Sequence, residues 1–191
     1  MMPVGPLMIE HRLIERMIAL ARTGLAQAER EGQISPLFVN AFTDFIRTYA
    51  DRCHHGKEED ILFRDLRKKK LSGEHARIME ELIEEHRLGR QKTAQIMQAN
   101  LGYLQGRKDQ LPLVLQLIRE LTDFYPRHIE KEDRHFFLPV MRSFTKQEQA
   151  AMLEEEREFD REFIHQHYRS LIGAAEKDPA VLFLKTVGRS A

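Results

Sequence analysis

The sequence predicts an all-α fold: an antiparallel up-down-up-down four-helix bundle with an additional C-terminal helix. Three observations point to it. Apolar residues recur at three- and four-residue spacing through five stretches of the chain. Short segments containing Gly, Pro, Ser or Asp separate those stretches. Strong helix formers (Leu, Ile, Met, Ala, Glu, Gln, Lys and Arg) dominate the 191 residues, and Trp is absent.

The first stretch begins just after Pro6 and runs to about Glu31, with Leu7, His11, Ile14, Ile18, Ala21 and Leu25 sharing one face. Ser35 followed by Pro36 pairs a capping residue with the residue favoured at the first helical position, which starts a second helix reaching about Arg67. Ser72 caps a third, to about Gln105. Gly106 and Asp109 mark a turn, and Pro112 sits near the start of a fourth helix that ends at or beyond Pro139. Within it, Pro126 predicts a kink, because an interior proline removes a helical hydrogen bond. Thr145 and Glu148 have the spacing of a capping box for a fifth helix, to about Lys177. One domain is expected over residues 1–177, with a four-helix core at about 7–143, a fifth helix at about 146–177 and a loosely held tail at 178–191.

Composition narrows the function. Thirty Lys and Arg balance thirty Asp and Glu, so no charge surplus argues for nucleic acid or an anionic membrane as partner. The single cysteine, Cys53, excludes an intramolecular disulfide and fits a reducing compartment, making a cytoplasmic location the expectation. The opening MMPVGPLMIEHRL reads as neither a signal peptide nor a membrane span. Gly-rich phosphate loops, nucleophile motifs and paired-cysteine zinc motifs are missing from the sequence.

What stands out is a repeat. EHRLIER from Glu10 is echoed by EHRLGRQ from Glu85, and HHGKEEDILF from His54 by HIEKEDRHFF from His128, so the chain reads as two helix hairpins of one design. HHGKEEDILF and HIEKEDRHFF each contain His-x-x-x-Glu, and residues four apart on a helix lie on one face about 5–6 Å apart, so both can reach one ion. In the second helix two such pairs overlap. His54 and Glu58 fall in line with Ile46, Ala50, Ile61 and Leu62, whereas His55 and Glu59 align with Asp44, Arg47, Thr48 and Asp51 on an ideal helix. The same test turns His128 and Glu132 toward Leu121, Phe124, Tyr125 and Phe136, and His86 toward Met79, Leu82 and Ile83. Six inward groups result: His11, His54, Glu58, His86, His128 and Glu132. Two carboxylates in an apolar interior repel and are costly unless cations neutralise them. Two divalent ions bridged by Glu58 and Glu132, and by an oxide or hydroxide, meet that need; a mixed imidazole and carboxylate set suits iron, with Mn or Zn possible.

With these motifs the chain resembles the hemerythrin-like, HHE cation-binding family, over the four helices and more faintly over MLEEEREFDREFIHQHY in the fifth. The resemblance implies a non-haem di-iron centre, two Fe ions on His11, His54, Glu58, His86, His128 and Glu132, that binds or reacts with O2, NO or peroxide, or holds iron. Oxygen-carrying hemerythrins have a second histidine four residues after the one on the third helix, where this chain has Arg90, and a His-x4-Asp spacing where it has His128 and Glu132. The His4Glu2 set is more similar to bacterial di-iron proteins linked to nitric oxide, oxidative stress and iron-centre repair. Sensor, enzyme and carrier are not separated by the sequence, nor is a protein partner named.

The remaining candidates read more plainly. His55 and His75 are expected to be surface or capping residues. His135 follows His128 by seven positions on nearly the same face, as a helix-end residue, an outer hydrogen-bond donor or an extra ligand; His165 and His167 belong to the fifth helix, His167 in a packing role. Tyr49 and Tyr125 precede the two His-x-x-x-Glu motifs by about one turn, and Cys53 is expected to be buried and unreactive. The competing class is a metal-free or zinc-stabilised helical interaction module whose inward histidines are hydrogen-bonded core groups.

Overall fold

The computed structural model describes residues 2–161 and 164–178, which form helices and no strand. Helix α1 (Val4–Glu31) starts ahead of Pro6, which falls in the first turn, where its missing N–H costs no helical bond. It ends at Gly32, whose φ of 64° lies in the left-handed region that glycine tolerates without strain. Helix α2 (residues 36–66) opens with Ser35 as cap and Pro36 in its first turn. It is α-helical over Pro36–Phe45, widens to i→i+5 hydrogen bonding over Ile46–His55 and again over Glu58–Phe63, and closes over Arg64–Leu66. Helix α3 (Gly73–Leu104) follows Ser72, whose hydroxyl accepts from the His75 N–H at 3.1 Å.

Helix α4 (residues 111–141) is α-helical over Leu111–Lys131, widens over Glu132–Phe136 and closes over Phe137–Met141. It is unbroken at Pro126. The carbonyl that proline leaves without its helical donor, that of Thr122, accepts instead from Arg22 of α1 at 2.8 Å. The capping box forms as the spacing predicts: the Glu148 N–H donates to the Thr145 hydroxyl at 3.2 Å and the Thr145 N–H to the Glu148 carboxylate at 2.8 Å.

The expected single fifth helix is two: α5 (Lys146–Phe159) and α6 (Ile164–Lys177). The first ends at Asp160, whose carboxylate accepts from buried Lys57 at 2.7 and 2.8 Å and lies 2.9 Å from His165. The weak helix propensity of aspartate and this tertiary ion pairing act in the same direction. Arg16 of α1 donates to Glu176 at 2.6 Å and Tyr168 to Asp44 at 2.6 Å, docking α6 onto α1 and α2.

Helices α1 and α3 both pack against α2 and α4. The apolar stripes meet in two clusters rather than one. The first gathers Ile14, Met17, Phe42, Phe45, Tyr49, Leu121 and Tyr125; the second gathers Val4, Leu7, Phe63, Leu82, Phe136 and Phe137. Each fully buried Phe contributes about 1.5–3 kcal/mol of transfer free energy. Between the clusters lies a polar layer, because His11 sits between Leu7 and Ile14, His54 between Ala50 and Ile61, and His128 between Tyr125 and Phe136 along their helices. No described helix is long and apolar enough to cross a membrane.

Candidate metal centre

All six predicted groups meet in this layer, each no more than 2 % exposed. Both carboxylates face the histidines of two helix pairs. Glu58 places Oε1 3.4 Å from His54 Nε2 and Oε2 3.3 Å from His86 Nε2. Glu132 places Oε2 3.1 Å from His11 Nε2 and Oε1 3.2 Å from His128 Nε2. None of these Nε2 atoms, and none of the four carboxylate oxygens, has a hydrogen-bond partner among the described residues. Buried polar atoms are nearly always paired, so eight unpartnered atoms pointing at one another need an explanation. Cations would supply it: His11, His54, Glu58 and Glu132 offer ligand atoms all within 4.8 Å of one another.

A second layer fixes the rings. Each of the four histidines uses Nδ1 to bond a carboxylate: His11 to Asp133 at 2.7 Å, His54 to Glu10 at 2.8 Å, His86 to Glu59 at 2.7 Å and His128 to Glu85 at 2.8 Å. An imidazole that donates its Nδ1 proton outward keeps the lone pair of Nε2 directed inward, the tautomer a metal requires. A third layer neutralises those carboxylates. Lys57 pairs with Glu10, Lys131 with Glu85 at 2.6 Å, Arg12 with Asp133, and Arg90 with Glu59 at 2.9 Å. Six carboxylates thus face four cations, an excess of two negative charges with neutral imidazoles. Asp160 and Asp51, which share two of those cations, add to it.

The electrostatics of the bare residues carry the same strain. Burial alone would lower the pKa of His11, but Asp133 and Glu132 outweigh it and push it up to about 10. Burial works the same way on His86, which Glu132, Glu58 and Glu59 hold well above the usual imidazole range. Burial would raise Glu132, yet His128, His11 and His86 hold it well below the carboxylate range. Protons are thus the substitute when no metal balances the two buried glutamates.

His55 departs from its sequence expectation. Expected on the surface, it is 2 % exposed; its ring stacks on His86 with centroids 3.8 Å apart and planes 9° apart, and lies 5.5 Å from His128. The cause is the wide helical segment ending at His55, where Gly56 N–H reaches the Asp51 carbonyl five residues back. Each residue there turns through less than the 100° of an ideal helix, so neighbouring His54 and His55 both face inward. The Nδ1 partners also lie outside the predicted set. Glu59 falls on the polar face of an ideal helix, yet its carboxylate reaches back to His86. The repeat does contain the signal, since glutamate precedes His11 and His86 alike, and an acid follows Glu58 and Glu132 alike.

Of the remaining candidates, His135 is exposed, and the backbone N–H of His75 donates to Ser72, the cap of α3. His165 bonds the Tyr49 hydroxyl at 3.1 Å, whereas the side chain of His167 lies outside the described residues. Cys53 is buried as expected; burial pushes its thiol up to about 12, and its Sγ lies 3.5 Å from Asp160.

Glu156 of α5 is a further buried acid with both oxygens unpartnered among the described residues. Burial raises it to about 8, against the pull of Lys57 and with the push of Glu10 and Asp160. A carboxylic acid raised in the folded state binds its proton there but not in the unfolded chain, so its stabilising contribution is complete below the ordinary carboxylate range and is lost as pH rises toward 8. Glu156→Gln is therefore expected to flatten stability by up to about 1.4 kcal/mol per pH unit across that window. Urea unfolding of both proteins at about pH 5 and pH 8 checks this, and parallel losses in the two would contradict it.

Taken as a class, this is a helical protein whose interior is organised around a cation site of imidazoles and carboxylates. The chain belongs to the hemerythrin HHE cation-binding domain family, whose match spans residues 2–140 and so includes His11, His54, Glu58, His86, His128 and Glu132. No curated protein and no solved structure matches the chain significantly.

Proposed function

We propose that helices α1 to α4 run up-down-up-down and hold two iron ions on His11, His54, Glu58, His86, His128 and Glu132, at a site that binds or reacts with dioxygen, nitric oxide or peroxide. The observation behind this reading is the pair of glutamates, each with one oxygen toward either helix pair and nothing else to satisfy it. A nitrogen and oxygen donor set with no thiolate favours iron over softer metals. When bound, iron would supply one-electron redox change and coordination room for a small diatomic ligand.

The chain's own residues do the rest. Asp133, Glu10, Glu59 and Glu85 hold each ring in place, and Phe137 and Phe124, stacked at 5.6 and 5.2 Å on His11 and His128, limit water at the layer. A cavity of about 230 Å³ between α2 and α3 has His55 and Tyr125 in its wall beside Ile46, Ala94 and Met97, with room for a small ligand and a largely apolar lining. Arg90 stands at its edge, bound to Asp51 at 2.8 Å and Glu59 at 2.9 Å.

Protein purified anaerobically from iron-rich medium is expected to contain two metal ions per chain and, once oxidised, to absorb in the near ultraviolet. A colourless protein with zinc alone would support the structural module instead. Mixing the reduced protein with dioxygen should give an oxidised spectrum that degassing does not reverse, and nitric oxide should also change the spectrum. Full recovery after degassing would favour storage, and silence toward both gases would favour iron holding.

A further inference from the structure

We propose that the segment Ala180 to Lys185 of this chain docks in extended form along the second half of α1, in a groove that α1 forms with the start of α2 and the end of α3. The groove is a cavity of about 660 Å³, within the size range of binding clefts. Its apolar wall is Leu20, Ala28, Ile34, Phe38, Tyr103 and Leu104, and Leu104 is 50 % exposed. Gly24 lets the Phe38 ring lie against α1 as part of that wall, since a β-carbon at this position would come 2.7 Å from Phe38 Cζ. An apolar segment laid on such a wall removes both surfaces from water.

Direction, length and charge select the occupant. Helix α6 runs from His165, 3.6 Å from Glu10, to Glu176, which accepts from Arg16 at 2.6 Å, so it points along α1 toward Gly32. Beyond Arg16 the same face of α1 continues at steps of three and four through Leu20, Gly24, Gln27 and Glu31, all of which line the groove. Pro179 cannot continue α6 and turns the backbone before it toward an extended form. From Arg16 to Glu31 is about 22 Å along the helix axis, a span that an extended chain covers in about seven residues. Seven positions beyond Asp178 stands Lys185. The stretch between holds Ala180, Val181, Leu182, Phe183 and Leu184, whose side chains, alternating in an extended chain, meet both sides of the groove. Glu31 is the last residue of α1, where the helix dipole disfavours a carboxylate, and among the described residues it accepts only from Gln27. The Lys185 ammonium answers that charge.

Zero-length carbodiimide cross-linking of the full chain, read by mass spectrometry of its peptides, tests this. Wild type is expected to join Glu31 to Lys185 within one chain, and an equal mixture of nitrogen-15 and unlabelled protein should give no mixed pairs. Phe183→Asp should lose the cross-link and lower the melting temperature by roughly 3–12 °C, the loss expected for exposing one buried phenylalanine. Mixed-isotope pairs would overturn the proposal in favour of a second copy seated in the groove. Absence of the cross-link in wild type, or a melting temperature that Phe183→Asp leaves unchanged, would overturn it outright. The wild-type cross-link decides the matter where the variant does not fold.

Discussion

Glu58→Ala is expected to leave less than one metal ion per chain, whereas His54→Ala should retain close to one. The difference follows from where the two side chains reach. His54 directs a single Nε2 at the site, so its loss weakens one position. Glu58 turns one oxygen toward His54 and the other toward His86, so its loss removes a ligand from both positions at once and deletes one of the two buried negative charges that call for cations. Glu132→Ala should behave like Glu58→Ala, because its oxygens divide in the same way between His11 and His128. Metal analysis after dialysis against a weak chelator measures the outcome. Two ions retained in Glu58→Ala would show that the carboxylate serves neither position, and one ion retained would show that it serves a single position. The alanine variants relieve charge in the metal-free protein, so their metal loss can be told apart from unfolding by comparing metal-free stabilities.

Much of this arrangement is legible in the amino-acid sequence. The caps at Ser35, Ser72 and Thr145 form, because a short hydroxyl side chain ahead of an apolar run has few better uses than an exposed N–H. All six candidate ligands converge because they lie on apolar stripes that must be buried. His55 is illegible for a definable reason: inferring its direction assumes about 100° per residue, and α2 departs from that angle over Ile46–His55 and Glu58–Phe63. Nothing local in HHGKEED announces wide turns; the demands of the interior select them. The break at Asp160 is similar, since it depends on Lys57, 103 positions away, being buried with a charge to neutralise. Glu10, Glu59, Glu85 and Asp133 are readable in principle. Each occupies a repeated place beside a ligand, but helical periodicity assigns them to solvent because the carboxylates reach sideways to a ring on the adjacent helix.

Metal loading is expected to raise the melting temperature by about 8–16 °C for each ion bound, and by more at about pH 8.5 than at pH 6. An ion that binds only the folded chain stabilises it by about 4 kcal/mol when its free concentration is roughly a thousandfold above its dissociation constant. A domain of this length gains roughly 2–4 °C per kcal/mol. The pH dependence comes from the protons that stand in for the metal. His11 is raised to about 10 in the folded, metal-free chain, so the stability it contributes is complete below the ordinary imidazole range and fades as pH climbs toward 10. Glu156 fades in the same direction between the ordinary carboxylate range and about 8. The metal-free protein should therefore weaken as the solution becomes alkaline. Metal binding runs the other way, because each Nε2 must be free of its proton to bind and fewer protons are displaced at higher pH. Scanning calorimetry of the metal-free and loaded forms at both pH values reads the two effects together. An unchanged melting temperature on loading would mean that the unpartnered atoms between α1, α2, α3 and α4 do not hold cations, and a larger rise at the lower pH would mean that protons are not what the cations replace.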